Sequence, residues 1–163
     1  MAIYDTIFDQ FFLFFKNSHD LNEAGINFFN NGKYAEAILC FNKSLTQNPG
    51  DSKSWYNKGL VLKKIGNYDE ALFCYDQALT INPNFLSALN SKANLLSLCG
   101  IYQKARECYD KILDKDPAYS DAVWNKGLLL KTLGFDNEAR LCFENWQNIT
   151  SGHISDIKQF TAD

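Results

Sequence analysis

The chain of 163 residues is poor in several things, having one methionine, two histidines, three prolines and fewer basic residues (16) than acidic ones (19). A nucleic-acid binder is expected to carry a basic stripe and a high isoelectric point. The net charge of −3 and the isoelectric point near 5.4 argue against that class. No apolar run approaches the roughly 20 residues that a membrane-spanning helix needs. The first residues lack the basic start of a signal peptide, and Asp5 and Asp9 interrupt their apolar run. There is no phosphate-cradling glycine loop, no metal-spaced cluster of histidine and cysteine, and no nucleophile motif. The expectation is a chain without catalysis, cofactor, metal, nucleic acid or membrane.

What the sequence does contain is a period. Shifted so that Gly32 falls on Gly66, it meets itself again at Gly100 and Gly134, and likewise at Ala37, Ala71, Ala105 and Ala139. The three prolines, Pro49, Pro83 and Pro117, keep the same spacing, as do Gly25, Gly59 and Gly127 with Ala93 in the remaining place. A fixed period of this size marks stacked supersecondary units.

Inside the unit the apolar residues recur at helical spacing, with Trp55, Gly59, Leu62 and Ile65 on a first helix and Ala71, Leu72, Tyr75, Ala78 and Leu79 on a second. Gly66 ends the first helix, because glycine tolerates the left-handed turn of a C-terminal cap. Asp69 and Glu70 suit the positive end of the second helix dipole, and Asn82-Pro83 stops that helix. The small residues let the helices approach, with Tyr68 and Tyr75 expected to fill the space beside them. Neither helix can bury its stripe alone, so each hairpin needs its neighbours.

These residues resemble the tetratricopeptide repeat, whose pattern is met by Trp55, Gly59, Leu62, Tyr68, Ala71, Tyr75, Ala78 and Pro83, with Lys58 in place of the usual leucine. The first repeat carries Leu21, Gly25, Phe28, Tyr34, Ala37, Phe41 and Pro49, and the third Leu89, Ala93, Leu96, Tyr102, Ala105, Tyr109 and Pro117. The fourth carries Val123, Gly127, Leu130, Gly134, Ala139 and Phe143, and then departs, with Trp146 where a small residue is expected and Ser151 in place of proline. The resemblance implies an all-α, right-handed solenoid of four helix hairpins over residues 18–51, 52–85, 86–119 and 120–153. First helices are expected near His19–Asn31, Ser52–Ile65, Leu86–Cys99 and Ser120–Leu133. Second helices are expected near Ala35–Gln47, Asp69–Ile81, Gln103–Lys115 and Asn137–Asn148.

Cys40, Cys74, Cys108 and Cys142 keep the spacing of the repeat as well. Packed helices stand about 8–10 Å apart, beyond disulfide reach for equivalent positions. Cysteine here reads as a small apolar residue of a packed layer, and Cys99 is expected in the core as well. Unpaired thiols point to a reducing cytoplasm.

Two segments flank the repeats. Residues 1–17 form an amphipathic helix on the wheel, apolar at Ile7, Phe8, Phe11, Phe12 and Phe15 among others. Such a helix would cap the first hairpin or join two chains as a homodimer, since so much exposed apolar area seeks a cover. Residues 154–163 are expected to form a short C-terminal capping helix and a polar tail, with Ile154, Ile157 and Phe160 over the fourth repeat.

Function is expected on the concave face, lined by the first helices. The lining comprises Lys53, Tyr56, Asn57 and Leu60, then Asn90 and Asn94, then Asp121, Trp124, Asn125, Leu128 and Lys131. In the family an asparagine two residues before the packing glycine commonly holds the backbone of a bound extended peptide, and the resemblance implies that role for Asn57 and Asn125. A carboxamide offers a peptide unit both a donor and an acceptor; the plainer alternative is a solvated polar group. Tyr56 and Trp124 offer the rigid aromatic surface that anchors interfaces. Lys53, Lys63, Lys64 and Lys131 outnumber Glu23 and Asp121, so a partner with a few carboxylates is expected. A clamp for a C-terminal carboxylate is not expected: its lysine and asparagine places hold Asn22 and Ile26 in the first repeat, and Tyr56 and Leu60 in the second. The reading is a module that binds a peptide segment of another protein, or alternatively a structural homo-oligomer assembled through the phenylalanine-rich helix.

Overall fold

The computed structural model describes residues 17–152, all of whose regular elements are α-helices. Of the N-terminal helix expected over residues 1–17, all but Asn17, which is the N-cap of the first described helix, lies outside the described residues together with its interface candidates, as does the cap over residues 154–163. The helices are α1 Ser18–Asn30, α2 Tyr34–Gln47, α3 Ser52–Lys64, α4 Tyr68–Ile81, α5 Leu86–Leu98, α6 Tyr102–Lys115, α7 Ser120–Thr132 and α8 Asp136–Thr150. The chain divides into two compact units, one ending at Asn84 and one starting at Phe85, each holding two hairpins.

The same chemistry ends every first helix. Gly66 takes φ +83°, and the N–H of Asn67 donates back to the carbonyl of Leu62 at 2.9 Å, closing a Schellman cap. Lys33 to Phe28, Ile101 to Leu96 and Phe135 to Leu130 repeat this bond at 2.8–2.9 Å. These first helices stop one residue short of the expected ends, because the residue before the glycine already serves as the C-cap. That placement also corrects the expectation for Cys99, which is exposed at the cap of α5 rather than in the core.

Second helices stop before proline in the first three repeats. There Asn48, Asn82 and Asp116 turn their side-chain oxygens to the backbone N–H two residues on, at 3.0–3.2 Å. The fourth repeat has Ser151 in place of proline, and α8 accordingly runs on to Thr150.

The core of each hairpin is an aromatic ring lying on a small residue. A Cβ added to Gly59 would come within 2.6 Å of the Tyr75 ring, and one on Gly25 within 2.6 Å of Phe41. Phe41, Tyr75 and Tyr109 are at most 1% exposed. Ala37, Ala71, Ala105 and Ala139 hold the equivalent place in each hairpin, at 2% or less. Cys40, Cys74 and Cys108 are buried beside them. Tyr68 is less enclosed than Tyr75, at 38% exposed, because it stands at the N-terminal end of α4.

Candidate functional site

Within the first unit, α3 packs on α2 and α4, and it also approaches α1 directly. In the second unit α7 packs on α6 and α8 and approaches α5 in the same way. The paired first helices therefore share a face in each unit, and the side chains expected to line it divide into exposed and supporting ones.

In the first unit the amide nitrogen of Asn57 donates to the side-chain oxygen of Asn22 at 3.0 Å. Asn22 is 6% exposed, so its oxygen has to find a partner within the protein. The bond orients the Asn57 carboxamide: with the nitrogen committed toward α1, the oxygen turns away from α1, and one N–H remains. Beside it Tyr56 lies 6.1 Å from the Tyr75 ring, Leu60 is half-buried and Lys53 is exposed in the first turn of α3.

The second unit repeats the arrangement. The amide nitrogen of Asn125 points to the oxygen of Asn90 at 3.4 Å, and Asn90 is 8% exposed. Asn90 thus stands beneath the surface as the acceptor of Asn125. Asn94 is also engaged from within, accepting the hydroxyl of the buried Tyr109 at 2.5 Å. Trp124 packs on Phe143 and Trp146 of α8, at 4.9 and 4.7 Å between ring centres, and stays 38% exposed. The unusual Trp146 thereby fills space beside Trp124 that an alanine would leave open. Leu128 is exposed, as are Asp121 and Lys131, and Lys131 lies beside a depression lined by Asp136, Arg140 and Glu144.

One residue that matters was absent from the sequence-derived lining. Tyr75 is fully buried, and among the described residues its hydroxyl has no hydrogen-bond partner. Where Tyr109 meets Asn94, the equivalent place opposite Tyr75 is Leu60. Burial pushes the phenols of Tyr75 and Tyr109 well above the ordinary tyrosine range. The signal was present in the register of the repeat, as a tyrosine whose matching asparagine had become leucine. Among the described residues there is no group of acidic, histidine or cysteine side chains able to hold a metal.

Models of the tetratricopeptide repeat match residues 21–51, 52–85 and 74–107. The chain belongs to the tetratricopeptide repeat family, and its fold is the all-α solenoid of that family. Among solved structures, the crystal structure of MamA is 19% identical, with 91% of this chain and 87% of that one covered and a TM-score of 0.81. MamA from Desulfovibrio magneticus RS-1 (its residues 41 to the end) is 24% identical, covering 85% of this chain and 78% of that one at a TM-score of 0.76. The first tetratricopeptide domain of Spaghetti (RPAP3), bound to an HSP90 peptide, is 20% identical, covering 73% and 94% at a TM-score of 0.70. Likeness at these identities shows the fold. No curated protein matches the chain in sequence.

Proposed function

We propose that the chain is a non-enzymatic protein-interaction module that holds an extended peptide segment of a partner against its first helices. The carrying observation is the oriented carboxamide of Asn57, tied to Asn22 at 3.0 Å and flanked by Tyr56 and Leu60. Such a group presents an acceptor and a donor to one peptide unit, while the aromatic and leucine side chains take up apolar side chains. The family and the fold support an interaction role, and a peptide is the ligand seen on the Spaghetti (RPAP3) domain of like fold. The lysine places of a terminal-carboxylate clamp hold Asn22 and Tyr56, so internal peptide backbone, with an acidic side chain near Lys63, is the ligand we assign. A reducing compartment such as the cytoplasm fits the free cysteines, and no helix among the described residues is long and apolar enough to cross a membrane.

The test is to pan a random twelve-residue peptide phage library on the wild-type chain and on the double variant Asn57→Ala, Asn125→Ala. Circular dichroism checks that the variant keeps its helices. Enrichment on the wild type that the variant loses supports the reading. No enrichment, or equal enrichment on both, overturns it.

A further inference from the structure

We propose that each two-repeat unit carries its own copy of one peptide site, so that a single chain holds two peptide segments of the same kind. The inference rests on the peptide-binding reading and adds its stoichiometry. Its basis is a second period, twice as long, laid over the first. Asn57, Leu60 and Lys63 return two repeats later as Asn125, Leu128 and Lys131. One repeat later those places instead hold Ser91, Asn94 and Ser97. The supporting asparagine alternates in the opposite phase: Asn22 and Asn90 match, whereas the intervening positions are Tyr56 and Trp124.

The structure joins the two phases. The first helix of an odd repeat supplies the acceptor, the first helix of the next repeat supplies the donor, and the bond has the same sense in both units, at 3.0 and 3.4 Å. An interaction that served only to tie neighbouring helices would account for the asparagines alone. It does not account for the leucine and lysine that return with them, since Leu128 and Lys131 are exposed and Leu60 and Lys63 are half-buried, so that all four keep some surface. A leucine that keeps some surface between an oriented amide and a lysine is the pattern expected for a segment with an apolar side chain and a carboxylate one or two residues apart. The two copies differ in their aromatic, Tyr56 against Trp124, and in an outer charge, Lys53 against Asp121. They therefore bind the same kind of segment with unequal strength.

The experiment is calorimetric titration of the full chain with a synthetic, terminally blocked twelve-residue peptide taken from the enriched phage pool. Two peptides per chain are expected for the wild type, and one for Asn57→Ala and for Asn125→Ala taken singly. Because removing Asn57 also strips Asn22 of its donor, the surface changes Lys63→Glu and Lys131→Glu are run beside them, each expected to weaken one of the two binding events. One peptide per chain in the wild type, or loss of all binding on a single substitution, overturns the duplication and leaves the peptide-binding reading standing. A library that yields no peptide overturns that reading, and the duplication with it.

Discussion

At the scale of the residue, Tyr75 and Tyr109 hold the same place in successive repeats and meet opposite fates. Tyr109 donates its hydroxyl proton to Asn94, whereas the Tyr75 hydroxyl is buried with no partner among the described residues. Leaving a buried donor unsatisfied costs about 1–3 kcal/mol, and a satisfied one contributes about 1 kcal/mol net. Tyr75→Phe is therefore expected to raise stability by about 1 kcal/mol, and Tyr109→Phe to lower it by about as much. Urea midpoints decide the matter: a loss of stability in Tyr75→Phe would show that the hydroxyl is in fact satisfied. Leu60→Asn, which copies the third repeat, should also raise the midpoint. The cysteines divide in a similar way. Burial lifts the Cys40 and Cys74 thiols from an ordinary 9.0 to about 11. Below pH 9 the folded and unfolded chains both keep these protons. Between pH 9 and 11 the unfolded chain loses them while the native chain holds them, so stability falls as pH rises through that window. Lysines and tyrosines titrate nearby, so the slope is read against the double variant Cys40→Ala, Cys74→Ala, which should lose less over the same range. Exposed Cys99 should react with Ellman's reagent first at pH 8; equal rates for Cys99 and for Cys40, Cys74 and Cys108 would contradict the burial of those three.

At the scale of the element, most of the helical pattern was legible because each boundary is written in local chemistry. Glycine at a left-handed cap and asparagine or aspartate before proline leave the backbone few alternatives, and the observed helices follow those marks within two residues. The end of α8 lies beyond its expected place because the mark itself, a proline, is missing there and the helix simply continues. What local chemistry could not reveal is how a helix start is tied to the neighbouring hairpin. One oxygen of Asp51 accepts the N–H of Lys53 at 3.0 Å, and the other accepts the hydroxyl of Ser54 at 2.6 Å. Ser54 lies 2.9 Å from Ser44, which in turn donates to the carbonyl of Ser18 at 2.8 Å. The N-cap of α3 is thus linked through two buried serines to the start of α1. Two hydroxyl protons serve three short contacts: with Ser54 donating to the Asp51 carboxylate and Ser44 to the Ser18 carbonyl, the carboxylate is the acceptor that fixes where the Ser54 proton points. Asp51→Ala is expected to cost about 2 kcal/mol, at the upper end for a cap, because it also disturbs this buried chain. Asp51→Asn should retain most of the stability. Equal losses for the two would mean that the cap acts through its charge on the helix dipole.

At the scale of the whole molecule, the repeat period announced the architecture, while the candidate site was legible only as a face. Periodicity locates side chains on a helix, so Tyr56, Asn57, Trp124 and Asn125 could be assigned to a common type of surface. It could not tell an exposed asparagine from a supporting one, and Asn90 and Asn94 prove to be engaged from inside their unit. That distinction depends on contacts between successive first helices, which no window within a single repeat contains. Charge is similarly hidden by summation. The chain is acidic overall, at −3, yet α3 carries Lys53, Lys63 and Lys64, whereas α7 sets Lys131 against Asp121. Two sites of the same design should therefore respond differently to salt. An exposed ion pair contributes about 0.2–1 kcal/mol and is screened beyond about a Debye length, which shortens from roughly 14 Å at 50 mM to 6 Å at 300 mM salt. For a peptide carrying carboxylates, the event that Lys63→Glu weakens should itself weaken about two- to fivefold over that range in the wild type, and the event that Lys131→Glu weakens by less. The ordering is the informative part. No salt dependence in either event would mean that neither lysine set meets the peptide charge and that recognition is carried by the amides and the aromatic residues, whereas equal non-zero slopes would mean that both sets meet it alike. A steeper slope in the second unit would place the acidic contact on Lys131 and reverse the assignment of the stronger electrostatic site.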